Sequence, residues 1–216
     1  FIPQLLGAGA ELAQLAQELG QARRADPKED LVSALVNTEL DGEKLDDSEI
    51  GSFFVLLAVA GNETTRNAIS HGLMALSDHP DQRKLWQEDF ENVAPTAVEE
   101  IIRWATPVIH FRRTATEDTE IRGQKIRKGE KVVMWYNSAN RDDEVFEDPY
   151  RFDVRRTPNA HVGFGAAGPH FCLGAHLARR EINLMFRELF TQLPEIRVSG
   201  EPHRLHSFFI HGIKHL

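Results

Sequence analysis

The sequence predicts a mainly α-helical protein with small β-sheets. Three observations lead there. The stretch from Asp46 to about Leu76 has the length of one unusually long helix, and its middle is apolar nearly all round. Two amphipathic segments, Pro95–Ala105 and Leu173–Leu193, read as helices. Between them the character changes to short β-rich runs separated by glycines.

Taken in order, residues Gly9–Arg24 are rich in Ala, Leu and Gln and predict a first helix, which Pro27 stops. Asp30–Leu40 predicts a short second helix, followed by a turn at Asp41-Gly42. Asp46 followed by Glu49 has the form of an N-cap with its capping-box partner. The long helix from there is expected to be central and buried, and Asp78-His79-Pro80 stops it. Asp81–Glu91 predicts another helix, and Pro107 ends the Pro95–Ala105 helix. Ile109–Thr116, Glu120–Arg122 and Lys131–Trp135 predict strands, with Gly123 and Gly129 at turns. Asn137–Asn159 is polar and irregular and predicts an ordered meander. After the Leu173–Leu193 helix, the tail from Glu195 returns to short strands with a turn near His211-Gly212.

Composition narrows the function classes. Apolar residues make up 41% and charged residues 27% of the 216, as in a soluble globular protein. The net charge of -8 argues against nucleic acid as the main partner. One cysteine fits a reducing compartment, so the expected location is cytoplasmic. The longest uncharged apolar run, Phe53–Ala60, is far too short for a transmembrane segment, and no signal peptide is visible. The chain starts at Phe1 rather than Met, which suggests a piece of something longer.

Cys172, the only cysteine, lies in Phe164-Gly165-Ala166-Ala167-Gly168-Pro169-His170-Phe171-Cys172-Leu173-Gly174. It can form neither an internal disulfide nor a cysteine-cluster zinc site. Its place before an amphipathic segment puts the sulfur near a helix N-terminus, where dipole and amides stabilise a thiolate. A thiolate in a tight loop is what an axial ligand of haem iron requires, and Gly168 and Gly174 allow close approach to a flat macrocycle. A small buried hydrophobe is the plain alternative. Ala60-Gly61-Asn62-Glu63-Thr64-Thr65 breaks the long helix with features that a buried helix tolerates poorly. Gly61 thins it for a ligand, Thr64 is expected to bond back to Ala60 and open a bulge, and Glu63 beside Thr64 reads as a proton relay. Glu100 and Arg103, three apart, share one helix face.

In order and spacing these three sites resemble cytochrome P450, the haem-thiolate monooxygenases. The resemblance implies the C-terminal half of that fold: long central helix, Glu-x-x-Arg helix, meander, cysteine loop and following helix. Residues 1–216 would be a single P450 domain, truncated, lacking the helices that normally precede Phe1. By resemblance Cys172 is the axial ligand of the iron in haem b, and His170 and Arg113 pair with the propionates. Phe164, Gly165, Gly168, Gly174, Ala60 and Gly61 lie against the cofactor. Glu63 and Thr64 deliver protons, and Glu100, Arg103 and Arg156 lock the core. Arg112 and Arg155 are neighbours of two of these. The substrate pocket falls on Val55, Val59, Val108, Ile109, His110, Phe209 and Ile210, which are nearly all apolar, so a hydrophobic substrate is expected. Phe164 stands eight residues before Cys172, one more than the commonest family spacing. This longer loop is shared by some actinobacterial members that oxidise sterols and branched lipids.

The activity so implied is insertion of one atom of O2 into a C–H bond. Electrons come from a ferredoxin-type donor with its reductase, with Arg179 and Arg180 as candidates for a docking patch. The alternative is a haem-binding or inert fragment without turnover, which associates into an oligomer through surface bared by the missing helices. A zinc site on His170 and Cys172 lacks two further ligands at suitable spacing, and no base-and-orienter pair supports a cysteine hydrolase.

Overall fold

The computed structural model describes residues 2–216 and divides into two compact units, one ending at Asn62 and the other Glu63–Leu216. The division falls inside one uninterrupted α-helix, α3, Asp47–Asp78.

The first unit begins with helix α1, Ile2–Ala25, and helix α2, Leu31–Asn37. Asp30 caps α2 by accepting the Ser33 N–H at 2.7 Å, and Arg23 donates to its carboxylate at 2.5 Å. Strands β1, Glu39–Leu40, and β2, Glu43–Lys44, form a hairpin around Asp41-Gly42. Both turn residues have positive φ, 54° and 85°, the geometry for which Asp-Gly is suited. The sequence reading had a turn here but no strands, and it carried the preceding helix on through Leu40. The capping box forms at the start of α3: Glu49 N–H donates to Asp46 Oδ1 at 2.8 Å, and Asp46 N–H to Glu49 Oε2 at 2.9 Å. Val32, Val36 and Ile50 make the core of this unit, flanked by Leu19, Leu45 and Phe54.

The middle of α3 departs from expectation. Leu56 is 61% and Val59 67% exposed, and Ala60 and Gly61 are exposed as well. An all-round apolar pattern requires cover on every side, and the described residues leave these side chains open to solvent. The helix also keeps its α form through Gly61–Thr65, without the expected bulge.

The second unit continues with helices α4, Pro80–Glu88, and α5, Phe90–Ala105. Strand β3, His110–Thr114, pairs antiparallel with β6, Lys131–Trp135. Between them β4, Thr119–Ile121, and β5, Gln124–Ile126, form a second hairpin, of which only the first strand was expected. The expected meander opens with a one-turn helix, α6, Tyr136–Ala139, and is otherwise built of turns. Helix α7, Ala175–Gln192, follows the cysteine loop. Strands β7, His203–Arg204, and β8, Ile213–His215, close the chain, and the bend between them falls at Phe208-Phe209 rather than His211-Gly212.

Trp86, Ile101, Phe152, Ile182 and Phe186 fill the core, joining α4, α5, α7 and the meander. Gly72 of α3 lets these helices close together. A Cβ there would sit 2.9 Å from both Ile101 Cδ1 and Phe186 Cζ. The C-terminal segment is tied to α3 and α5 by polar bonds. Asn67 Oδ1 accepts the buried Ile213 N–H at 2.9 Å, and Arg66 donates to the Ile213 carbonyl at 2.9 Å. His71 Nε2–H donates to the His211 carbonyl at 3.0 Å, and His211 Nδ1–H to the Ala105 carbonyl at 2.7 Å.

Two predictions arise from this packing. Gly72→Ala overpacks the α3–α5–α7 contact and should cost about 1–3 kcal/mol in urea unfolding. Burial, then the nearby charge of His211, lowers the His71 pKa from 6.5 to about 4, with Arg204 and Arg141 adding to the effect. Below pH 6.5 the unfolded chain therefore binds a proton that the folded chain resists. The His71 contribution is fully present above pH 6.5 and is lost as pH falls toward 4, a loss of about 3 kcal/mol in all. Stability measured across this window should fall less steeply in His71→Asn.

Candidate active site

Glu100 and Arg103, on the inner face of α5, are fully buried. Their contact is a fork: Arg103 Nε to Glu100 Oε2 at 2.7 Å and Nη2 to Oε1 at 2.8 Å. Arg103 also donates to the carbonyls of Asn140 and Pro149, each at 2.8 Å, and Arg151 at 3.2 Å. Glu100 further accepts from the Asp153 N–H at 2.9 Å, Asn159 at 3.1 Å and Arg156 at 3.2 Å. Arg156 itself reaches the carbonyls of Glu147, Asp148 and Arg151. Its neighbour Arg155 is exposed and stays outside the cluster.

This anchored meander leads into the cysteine loop. Asn140 Oδ1 accepts the Val162 N–H at 2.8 Å. Gly163 packs so close to α5 that a Cβ would lie 2.6 Å from Ile102 Cγ2, a contact that sequence reading missed. The loop then turns on Gly165 and Gly168, whose φ values of 85° and 143° suit glycine. Cys172 N–H closes it by donating to the Phe164 carbonyl at 3.0 Å. The Cys172 carbonyl accepts the Ala175 N–H at 3.2 Å, so the thiol stands at the N-terminal end of α7, half-buried and free of any disulfide. Gly174 has an ordinary φ of -84° and open space beside it, so neither strain nor crowding within the chain requires glycine there.

His170 is exposed beside this loop. Arg113 is exposed on β3, donates to the Arg112 carbonyl at 3.1 Å and lies over the Phe111 ring; Arg112 is exposed as well. Arg179 is not a free surface cation: it forms a fork with Glu99, whereas Arg180 is exposed. Glu63 also has a partner that sequence reading missed. Arg66 donates to its carboxylate at 2.6 Å, with Asn67 at 3.4 Å. The Arg66 hydrogen bond outweighs the opposing effect of burial, and with the Arg66 charge it holds the Glu63 pKa below its ordinary value. Thr64, next to it, is half-buried. A helix spacing of three was the available signal for Arg66.

The predicted pocket residues of the second unit come together. Val108 bridges Ile210, Ile109 N–H donates to the Phe209 carbonyl at 2.9 Å, and His110 packs against Trp135 and Phe209. Among the described residues, His110 Nδ1 is buried without a hydrogen-bond partner. Val55 is half-buried and Val59 exposed on α3.

The family model described as Cytochrome P450 matches residues 8–193. The chain belongs to the cytochrome P450 family. It is similar to a methyl-branched lipid omega-hydroxylase of Mycobacterium tuberculosis, 55% identical over 99% of this chain and 50% of the relative. A steroid C26-monooxygenase of Mycolicibacterium smegmatis is 51% identical over 95% of this chain and 47% of the relative. The chain thus spans about half the length of these curated relatives. A Mycobacterium marinum cytochrome P450 solved with pseudoionone superposes with a TM-score of 0.91, at 54% identity, over 95% of this chain and 50% of that one. A Bacillus megaterium P450 solved with testosterone gives 0.94, at 37% identity, over 99% of this chain and 59% of that one.

The family implies a haem, and the donor set fits it. Among the described residues no cluster of three or more His, Cys, Asp or Glu could hold a bare metal ion. A lone thiol at a helix N-terminus suits an iron whose other ligands come from a macrocycle. No helix of the described residues is long and apolar enough to cross a membrane.

Because Glu100→Ala leaves Arg103 buried without its counter-charge, the variant should lose about 3–5 kcal/mol in urea unfolding.

Proposed function

We propose that the protein carrying this chain is a haem-thiolate monooxygenase that hydroxylates a hydrophobic, lipid-like substrate, and that the Cys172 thiolate would hold the iron of haem b. The observation that carries this reading is the sole thiol, held by its own amide to Phe164 at the start of α7. Bound there, the haem supplies the oxygen-activating redox chemistry. His170 and Arg113, both exposed, would hold its propionates. Glu63, kept as a carboxylate by Arg66, accepts hydrogen bonds from water, and the Thr64 hydroxyl passes protons onward.

The apolar cluster of Val108, Ile109, Phe209 and Ile210 supports an apolar substrate. The relatives named for methyl-branched lipids and steroids support that class. Electrons would come from a ferredoxin-type donor with its reductase, and O2 is the co-substrate. The second reading is a fragment without turnover. The exposed Leu56 and Val59 favour it, since bare apolar side chains promote self-association.

The reduced, CO-bound absorption spectrum of the haem-loaded chain tests the ligand. A thiolate-type Soret band is expected in the wild type and should vanish in Cys172→Ala. A band of the neutral-ligand type, or free haem alone, would favour the fragment reading. In the substrate-consuming protein, Thr64→Ala should retain haem but divert reduced oxygen to peroxide, read as peroxide formed per electron pair consumed. Spectral binding shifts with small polar compounds and none with sterols or branched lipids would overturn the substrate class.

A further inference from the structure

Behind the cysteine loop lies a polar cluster that the monooxygenase reading does not use. Glu99 of α5 receives a fork from Arg179 of α7, Nε to Oε1 at 2.5 Å and Nη2 to Oε2 at 2.9 Å. His161 donates its Nε2–H to Glu99 Oε2 at 2.9 Å, a tautomer set by the Gly163 N–H, which donates to Nδ1 at 3.1 Å. The His161 side chain is nearly fully buried. Burial alone would raise the Glu99 pKa, but the hydrogen bonds from Arg179 and His161, with the Arg179 charge, bring it to about 2. The carboxylate is therefore a fixed anion at any working pH.

What the cluster grips is Phe164. The Arg179 guanidinium lies 4.5 Å from the Phe164 ring centroid, well within cation–π range, and the His161 ring lies 5.9 Å from it. Phe164 is the residue whose carbonyl receives the Cys172 amide. Gly163, just before it, is pressed against Ile102 of α5. The chain of contacts runs from Glu99 through the Arg179 plane to the Phe164 ring, and from the Phe164 carbonyl to Cys172.

We propose that Glu99, Arg179 and His161 are positioning residues that clamp Phe164 and thereby set the place of Cys172. This rests on the reading of Cys172 as an iron ligand. The clamp needs a planar, forked cation. A lysine would keep the charge but lose both the two-point contact with Glu99 and the stacking on Phe164.

The test compares wild type with Arg179→Lys and Glu99→Gln in two readouts. The first is amide hydrogen exchange of the chain without haem. Both variants should speed exchange at Cys172 and Gly165 about tenfold, while Ile101 and Phe186 in the helices are unchanged. Exchange rising equally everywhere would mark a general stability role and overturn the clamp, as would no change at Cys172. The second readout is the reduced, CO-bound spectrum and reduction potential of the haem-loaded protein. A shifted potential and a partial loss of the thiolate-type band are expected in both variants, and unchanged values would overturn the link from the clamp to the thiol. If the wild type itself shows no thiolate-type band, the iron-ligand reading fails, and the exchange result decides the clamp by itself.

Discussion

A charge pair sealed inside α5 is the constraint on which the second unit depends. Taking Glu100 and Arg103 out of water is costly, and their mutual attraction offsets that cost only if the remaining lone pairs and N–H groups also find partners. Here they do, and the partners fix the architecture. The carbonyls of Asn140, Pro149 and Arg151 converge on the guanidinium, while the Asp153 amide, Asn159 and Arg156 converge on the carboxylate. A segment with almost no regular structure thereby acquires one path. That path delivers the chain to Val162 and the cysteine loop.

The adjacent glutamate does a different job because of helix geometry. Successive side chains on an α-helix point about 100° apart, so Glu99 and Glu100 face different neighbours. Glu100 faces the meander, and Glu99 faces α7 and the loop that ends in Cys172. One turn of one helix therefore holds both the approach to the thiol and its surroundings. As the proposed iron ligand, Cys172 would be placed only as well as these supports hold its loop.

Much of this was legible in the residues, and the failures have physical causes. Asp46 and Glu49 announced the start of α3, and Pro80 its end, because caps and breakers are local chemistry. Strands β1, β2 and β5 went unseen because two or three residues carry no periodicity; only Asp41-Gly42 and Gly123 signalled turns. The apolar middle of α3 was read as buried, but a pattern records that cover is needed, not that it is supplied. In the site, Cys172 stood out by its loop and Glu100 and Arg103 by their spacing, while Arg156 was named only through the family resemblance. Glu99 and His161 did not stand out, and Arg179 was read as a docking candidate rather than a partner of Glu99, since these partners lie 62 and 80 residues apart and only the fold joins them. Arg66, three residues from Glu63, was within reach of a helical reading and turns a bare acid into a paired one.

The meander is gripped through its backbone. Arg103 and Arg156 take hold of carbonyl oxygens at Asn140, Glu147, Asp148, Pro149 and Arg151, a group that every residue type possesses. The route of this segment is thus largely decoupled from the side chains it displays. Exposed positions such as Val145 and Tyr150 form a surface whose chemistry can be rewritten while the scaffold beneath keeps its shape.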